Sequence, residues 1–348
     1  MSIIKPINSC RGIFALCIVC FHFGHHEFHE MTLLGISFFL MVSGFLVGLK
    51  HDEITQVARY YRNRLWRIFS LVWLSLACLV IIDLVMMHKF NYSWQFPVHV
   101  LLLQSWFPSE SVYYNFNPHA WFMSTLLAAT IFTPWLLRWM SRGSLKVVWT
   151  VLAVACVAVT ALECCASETV RDYTYVCPLT RLVDYSLGMA LGITLRRLNT
   201  REKLKNISLA NASLLELAAI AVVAAFIAWH ASGDIASLKL ENAPLWWIPA
   251  LLFLTTSFSL SGHEGLLGKL LSIKPLVWLG TISFEMYILQ KVVNNAFCYV
   301  IAPFFGHYGI MIYDYSFVTH IPMLIVLAAA VHYWYTKPML RLASGAKK

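Results

Sequence analysis

The chain has 348 residues, of which 59% are hydrophobic and only 12% are charged. Side chains of this composition cannot cover the surface of a soluble domain of that size, so water is not the main solvent of the protein. The net charge of +9 is spread over short loops that flank apolar stretches, whereas a nucleic-acid-binding protein gathers its cations on one soluble face. Composition therefore predicts an all-α polytopic membrane protein and argues against a nucleic acid partner.

Ten apolar stretches are long enough to cross a membrane, because a spanning helix needs about 20 mostly apolar residues. They are residues 8–25, 32–49, 67–87, 118–140, 145–162, 175–195, 214–231, 244–262, 276–300 and 316–336. A further apolar segment at 94–106 has 13 residues and contains Pro97, which favours an interfacial or re-entrant piece. We expect one integral membrane domain over 1–348, with no fused soluble domain.

The distribution of positive charge predicts the orientation of these spans. Of the 26 Lys and Arg residues, 20 lie at the two termini or beside even-numbered connections, and only Lys89, Arg171 and Lys239 lie on the other side. The positive-inside rule then puts both termini in the cytoplasm and favours an even number of spans. Arg11 interrupts the start of the first span and no small-residue cleavage site follows, so we expect a retained helix rather than a signal peptide.

Ionisable side chains inside spans are costly, and their positions alone make them functional candidates. They are Arg11, His22, Arg181, Asp184, Glu285 and Lys291. Arg181 and Asp184 are three residues apart and can neutralise each other, so a structural ion pair and a functional pair are both open. Glu285 and Lys291 point in different directions, and their partners must therefore come from other helices.

Arg11 and His22 share one face of the first helix. They are eleven residues apart, which returns the helix to within about 20° of the starting direction, about 16 Å further along its axis. A guanidinium at the cytoplasmic end suits a phosphorylated ligand, and an imidazole at the other end suits general-base or acyl-accepting chemistry. The spacing by itself favours a simpler interpretation, a snorkelling Arg and a hydrogen-bonded core His.

Several motifs that follow Arg11 and His22 favour a functional role for this pair over the simpler interpretation. In chain order they are Gly35-Ile-Ser-Phe-Phe-Leu-Met-Val-Ser-Gly-Phe45, Arg64-Leu-Trp-Arg-Ile68, Pro118-His-Ala-Trp-Phe-Met-Ser124, Arg181 followed by Gly188, and Gly280-Thr-Ile-Ser-Phe-Glu-Met-Tyr-Ile-Leu289. With Arg11 and His22, their order and spacing resemble the membrane-bound acyltransferase 3 family over nearly the whole chain. Each motif is short, but their placement on a ten-span topology is specific.

The resemblance implies an O-acyltransferase of the bacterial inner membrane. Such an enzyme moves an acyl group, most often acetyl from acetyl-CoA, to a hydroxyl of a cell-envelope polysaccharide or lipid-linked sugar. Arg11 and His22 are then the catalytic residues. His22 is the general base or the nucleophile that holds the acyl group, and both roles are open. Cations for the CoA phosphates are expected from Arg11, Arg62, Arg64 and Arg67.

The acceptor is expected to contact four further residues of the matched motifs and spans, namely Trp121, Arg181, Asp184 and Glu285. No metal is expected, since the ligand-rich stretch His25-His26-Glu27-Phe28-His29-Glu30 has no second cluster to complete a site. An outward-facing polar loop near the acceptor entrance is the better interpretation of that stretch.

Four positions depart from the usual family pattern. Gln290 stands where a His often ends the Tyr-x-Leu-His segment, and Thr336 replaces the Glu of a final Glu-Lys-Pro. Ser70 replaces a common Pro, and Leu126 a common Glu. The sequence therefore assigns no catalytic role to any of the four.

The alternative is a proton-coupled transporter or a glycan flippase without acyl-transfer chemistry. Intramembrane Arg, Asp, Glu, Lys and His fit such a carrier, although the sequence shows no inverted repeat or paired broken helices. A non-catalytic scaffold is disfavoured by the number of ionisable groups inside the spans.

Overall fold

The computed structural model describes residues 4–86, 93–232, 246–250, 263–308 and 317–344. Throughout these ranges the chain forms helices and turns without any strand, which confirms the all-α prediction. The helices are α1 (Lys5–His22), α2 (His29–Lys50), α3 (Val57–Met86), α4 (Gln95–Val100), α5 (Glu110–Tyr113), α6 (Trp121–Arg142), α7 (Leu145–Cys165), α8 (Glu168–Val176), α9 (Pro178–Arg197), α10 (Thr200–Lys203), α11 (Leu209–Ala231), α12 (Leu266–Leu270), α13 (Lys274–Thr281), α14 (Ser283–Ala296), α15 (Ala302–His307), α16 (His320–Val331) and α17 (Lys337–Ser344).

Six helical segments of the described chain are long and apolar enough to cross a membrane. They are His26–Lys50, Val57–Met86, Pro118–Arg142, Leu145–Cys165, Leu209–Ala231 and Ser283–His307. Helices α1 and α9, with 18 and 20 residues, also coincide with predicted spans but carry more polar side chains. The predicted span 244–262 lies largely outside the described residues, of which 246–250 are helical. The total of ten spans stays a prediction.

Local sequence signals fix several helix ends. The Ser144 hydroxyl accepts a hydrogen bond from the Val147 amide at the start of α7, and Ser208 caps α11 in the same way. Proline occupies the first turn of α1 and of α9, where its missing amide hydrogen costs nothing. These signals explain why the observed helices begin close to the predicted apolar stretches.

Helix α2 lies at the centre of the bundle, where it packs along α9. Gly44 and Gly48 on α2 face Gly188 and Gly192 on α9, and a Cβ atom on any of the four would overlap backbone of the opposite helix. Two small-xxx-small pairs therefore allow direct backbone contact, as is common between helices in membranes. In the most apolar stretch of α2, 83% of residues are buried, compared with 11% for α7 and 17% for α11. Helices α7 and α11 thus lie at the periphery.

Three of the predicted apolar segments are interrupted. The segment 94–106 forms the six-residue helix α4 and a short turn at Gln104–Trp106, too short to span a membrane. The predicted span 276–300 breaks at Ile282, which separates α13 from α14. In the predicted span 316–336, a π-helical turn at His332–Thr336 follows α16 and leads into α17. The second and third interruptions adjoin the arginine cavity described next, since Gly280, Thr281 and His332 line it, and π-helical turns are frequent at functional sites.

Candidate active site

Two cavities lie at opposite ends of α1. The arginine cavity, of about 660 Å³, is lined by Arg11, Lys50, Arg67, Lys337 and Arg341 together with apolar and neutral side chains. The histidine cavity, of about 590 Å³, is lined by His22, His119, Trp121, Tyr175 and Tyr287 and by further aromatic and polar groups. Ile4 also lines the arginine cavity, so both ends of the described chain lie at the same end of the bundle. Arg11 and His22 thus point into protein cavities rather than lipid.

The arginine cavity has a strongly positive lining. Five cationic side chains line it, and no Asp or Glu does so among the described residues. A narrower recess of about 80 Å³ adjoins Arg11, Arg64 and Arg67. The positive potential extends to the loop that follows α2, where partial burial and then the charges of Lys50, Arg64 and Arg196 lower the pKa of His51. This arrangement suits a ligand with several phosphate groups.

Glu285 lies behind the arginine cavity as a buried counter-charge. Its Oε1 is 2.9 Å from Nδ1 of His332, and its side chain is fully buried. Glu285 also interacts electrostatically with Arg11 and Arg67. His332 begins the π-helical turn of the last helix and itself lines the arginine cavity. The carboxylate therefore orients cavity groups without lining either cavity in the described structure.

His22 is the last residue of α1, and its ring is exposed to the histidine cavity. Its Nδ1 is 3.0 Å from Oε1 of Gln290 on α14. The ring of His119 lies beside it, with 4.3 Å between the ring centroids and an angle of 48° between the planes. Two histidines and one amide therefore meet at one end of the cavity, from three separate parts of the chain.

The turn that carries His119 is pinned by Asn117. The Asn117 side-chain oxygen accepts a hydrogen bond from the His119 amide at 3.2 Å, and its Nδ2 donates to the backbone oxygen of Ile288 at 3.0 Å. Asn117 Nδ2 also lies 3.2 Å from the Ser75 hydroxyl. This fully buried amide joins the Pro118–Ala120 turn to α14 and to α3, which fixes His119 relative to His22.

A series of aromatic rings separates the two cavities. The Arg11 guanidinium lies 5.9 Å from the ring centre of Phe39, which is 6.2 Å from the ring of Phe122. Phe122 is 5.2 Å from Tyr287, which lines the histidine cavity. Among the described lining residues, none is shared by the two cavities. We call Phe39, Phe122 and Tyr287 the aromatic partition.

Arg181 and Asp184 lie behind the wall of the histidine cavity. Nη1 of Arg181 is 3.6 Å from Oδ2 of Asp184, and both side chains are almost fully buried. The Arg181 guanidinium lies 4.5 Å from the ring centre of Tyr175 and 5.7 Å from that of Trp121, and its Nε donates to the Tyr175 backbone oxygen at 2.6 Å. The ion pair therefore supports two aromatic side chains that line the cavity, and does not line it itself.

The structure brings together some of the predicted site residues and separates others. Arg11 and Arg67 line the arginine cavity and Arg64 its recess, but Arg62 is exposed on α3 outside both. Of the predicted acceptor-binding residues, Trp121 lines the histidine cavity, Arg181 and Asp184 lie behind it, and Glu285 lies beside the arginine cavity. The assignment of these residues to substrates stays a prediction.

Several residues that line or contact the cavities had no predicted role. They are Lys50, His119, Gln290, His332, Lys337 and Arg341. His119 follows Pro118 in the motif that opens the predicted fourth span, so the sequence does contain a local signal for a functional role of His119. The cations on α17 carried no such signal, because only the folded chain packs α17 on α3 and brings it to the arginine cavity.

The histidine-rich segment after α1 does not form a cluster with three or more potential metal ligands, and the same holds for the rest of the described chain. His25 Nδ1 lies 3.3 Å from Glu27 Oε1, and the His25 ring packs on Phe317. His29 lines the histidine cavity. His29, the first residue of α2, therefore reaches the cavity, whereas His26–Phe28 form a short turn outside its lining. The interpretation of the stretch as a polar loop near an acceptor entrance stays a prediction.

Comparison with known proteins bears on the whole chain. A family model described as "Acyltransferase domain", that of the acyltransferase 3 family, matches residues 4–337. Acyltransferase MdmB of Streptomyces mycarofaciens is 25% identical over 223 residues, which cover 56% of this chain and 58% of that relative. No solved structure matches. Since the family model covers the chain from before α1 to the start of α17, the chain belongs to the acyltransferase 3 family.

Proposed function

We propose that the protein is a membrane O-acyltransferase that moves an acyl group, most often acetyl, from acyl-CoA to a hydroxyl of a cell-envelope polysaccharide or lipid-linked sugar. The observation that carries the proposal is that Arg11 and His22, at the two ends of one helix, open into two cavities of contrasting chemistry. The donor enters from the cytoplasm and the acceptor from the other side of the bacterial inner membrane.

The arginine cavity is the proposed donor site. CoA carries a pyrophosphate and a further phosphate on its ribose, and guanidinium forks match phosphate oxygens in geometry and charge. The lining combines Arg11 and Arg67 with Lys50 and with two cations of α17. The buried carboxylate of Glu285 offsets only part of this charge, which leaves the cavity attractive to a polyanion.

The histidine cavity is the proposed acceptor site. Its walls include Trp121, Tyr113, Tyr114, Tyr175 and Tyr287, whose rings offer flat apolar faces to the C–H faces of a sugar. Glu110 and Asp172 also line this cavity, and carboxylates accept hydrogen bonds from hydroxyl groups. A saccharide held in this way would present one hydroxyl to His22.

The reaction needs a group that takes a proton from that hydroxyl. A ring nitrogen of His22 accepts the proton while the hydroxyl oxygen attacks the thioester carbonyl carbon. The carbon–sulfur bond then breaks, and the imidazolium returns the proton to the CoA sulfur, so that the products are the ester and free CoA. Prior transfer of the acyl group to the imidazole gives the same products in two steps.

Transfer of label from acyl-CoA tests the proposal directly. Membranes that contain the protein are supplied with acetyl-CoA labelled in the acetyl group, and glycan and lipid-linked sugar fractions are extracted. We expect label in one fraction as an ester that mild base releases, and none with membranes that lack the protein. If no fraction gains label from any acyl-CoA, while liposomes containing the protein take up substrate, the protein is a transporter and the proposal is wrong.

A further inference from the structure

Gln290 lies against the imidazole of His22, at a position to which the sequence assigns no role. Its side chain is fully buried in α14. The side-chain oxygen Oε1 is 3.0 Å from Nδ1 of His22, and the side-chain nitrogen Nε2 donates to the backbone oxygen of Tyr287 at 2.9 Å. Both ends of the amide are therefore engaged.

These two contacts fix the direction of the amide. A backbone carbonyl oxygen only accepts hydrogen bonds, so the group that faces Tyr287 has to be the NH₂ group. In the opposite orientation of the Gln290 amide, Oε1 would face the Tyr287 backbone oxygen, and two acceptors would meet without a hydrogen between them. Oε1 therefore faces His22, and because an amide oxygen also only accepts, Nδ1 of His22 has to carry the hydrogen. In a neutral imidazole the other nitrogen, Nε2, then holds a free lone pair.

We propose that Gln290 is a positioning residue that holds His22 in the tautomer with hydrogen on Nδ1, and so makes Nε2 the reactive atom. The inference rests on the proposed role of His22 in acyl transfer. A free imidazole in water favours the opposite tautomer, whose Nε2 is a donor and cannot take a proton. A carboxylate performs the same orienting task in Ser-His-Asp hydrolases. An amide does so without burying a further charge.

The surroundings hold the ring as well as its proton. His119 packs at 4.3 Å beside His22, and Asn117 fixes the turn that carries His119 to α14. Rotation of the ring would break the bond to Gln290 and disturb this packing. During the reaction, Nε2 takes the hydroxyl proton and later returns it to the CoA sulfur, while the hydrogen on Nδ1 stays bonded to Gln290.

Nitrogen NMR of the protein with ¹⁵N-labelled histidine tests the tautomer. His22 is assigned by comparison with His22→Gln, at a pH at which its ring is neutral. We expect hydrogen on Nδ1 in the wild type and in Gln290→Glu, which keeps an acceptor oxygen. In Gln290→Met, which has a similar shape but no such acceptor, the hydrogen should move largely to Nε2. Hydrogen on Nε2 in the wild type would overturn the inference without any variant.

Kinetics test the consequence for catalysis. Gln290→Met should lower kcat roughly 100-fold or more, with KM for acetyl-CoA changed less than about twofold, because the donor site lies at the other end of α1. Gln290→Glu should restore kcat to within about tenfold of wild type. Asn294→Ala, a polar truncation one turn further along α14, is the matched control and should change kcat less than about twofold. A wild-type kcat in Gln290→Met contradicts the positioning role.

The two measurements also separate this inference from the proposed function. The tautomer is read from the protein alone and requires no turnover. If the tautomer is as expected but His22→Ala still transfers acyl groups, His22 is not the reactive residue and the proposed mechanism is wrong. If His22→Ala is inactive but Gln290→Met changes neither tautomer nor kcat, only the role of Gln290 is wrong.

Discussion

The arginine cavity and the histidine cavity are similar in volume, about 660 and 590 Å³, but differ in how they can recognise a ligand. Five cations line the first, whereas aromatic rings, imidazoles and the carboxylates of Glu110 and Asp172 line the second. Under the proposed function, charge would select a polyanion at one end, and flat apolar faces with hydrogen-bonding groups would select a polyhydroxyl ligand at the other.

Helix α1 contributes side chains to both cavities, among them Arg11 to the arginine cavity and His22 to the histidine cavity. The helix length between Arg11 and His22, about 16 Å, covers about half of the hydrocarbon thickness. The phosphates of a donor can therefore stay in the aqueous region at one end while its acyl end reaches towards the imidazole. The rings of the aromatic partition form a series of contacts from Arg11 to Tyr287, so under the proposed function they are the side chains nearest to the thioester on its way to His22. We therefore expect substitutions in the arginine cavity to change mainly KM for acetyl-CoA, and the loss of His22 in the histidine cavity to change mainly the rate of acyl transfer.

The largest expected effect is the loss of the His22 imidazole. His22→Ala should lower the rate of acyl transfer about 10²- to 10⁴-fold, because it removes the group proposed to take the hydroxyl proton. KM for acetyl-CoA should change little, since the donor phosphates bind at the other end of α1. The measurement is label transfer in purified membranes.

His26→Ala is the matched control for this experiment. His26 is an exposed histidine close to His22 in sequence, and it does not line the histidine cavity. The control should retain transfer within about twofold of wild type. If His22→Ala and the wild type are equally active, His22 is not the reactive group, and the proposed chemical role of the histidine cavity is wrong.

The second effect concerns donor affinity. Arg11→Ala should raise KM for acetyl-CoA about 10- to 100-fold, since hydrogen bonds to charged groups contribute about 1.5–3 kcal/mol. Arg62→Ala is the control, because Arg62 lies on α3 outside the arginine cavity. It should change KM less than about twofold. If Arg62→Ala has the larger effect, the donor site is wrongly placed.

The contrast between Arg62 and its neighbours shows what the sequence could predict. The basic run before the third span indicated cations for a phosphorylated ligand, and Arg64 and Arg67 do face the recess of the arginine cavity. At 100° per residue, Arg67 is about 60° from Arg64, but Arg62 is about 160° from it. Helical geometry alone therefore places Arg62 on a different face of α3 from the two arginines that reach the recess.

The positions of Gln290 and Glu285 show what the sequence could not predict. Spans 8–25 and 276–300 were predicted from their apolar composition, but no local pattern gives the register of one helix against another. That register brings Gln290 to His22 at one end and Glu285 to Arg11 and His332 at the other. Glu285 was expected to contact the acceptor, whereas it lies beside the proposed donor site.

A third prediction concerns the aromatic partition. Phe122→Leu should increase acceptor-independent hydrolysis of acetyl-CoA a few-fold, because a smaller side chain lets water from the histidine cavity approach the thioester. The loss of stability should be about 1 kcal/mol. Free CoA thiol released without acceptor is the measured quantity.

Phe38→Leu controls for the loss of a buried ring. Phe38 is fully buried and packs on Phe14, with 4.9 Å between the ring centroids, and is not one of the partition rings. It should lose similar stability but leave hydrolysis unchanged. If both variants hydrolyse acetyl-CoA equally fast, the effect comes from general loosening and the partition has no separating role.

The smallest effect is expected at the rim of the arginine cavity, where Lys337 is exposed on α17. Lys337→Gln should raise KM for acetyl-CoA about two- to fivefold, since an exposed ionic contact contributes about 1 kcal/mol or less. Salt should abolish this difference, because the screening length falls from about 10 Å at 0.1 M to about 3 Å at 1 M. Lys146→Gln, an exposed cation of α7 outside the cavity, should match wild type at every salt concentration. A salt-independent effect of Lys337→Gln would mean that this side chain packs against the donor rather than attracting its phosphates. The rim of the arginine cavity would then bind its ligand by packing, as proposed for the aromatic walls of the histidine cavity, and not by charge.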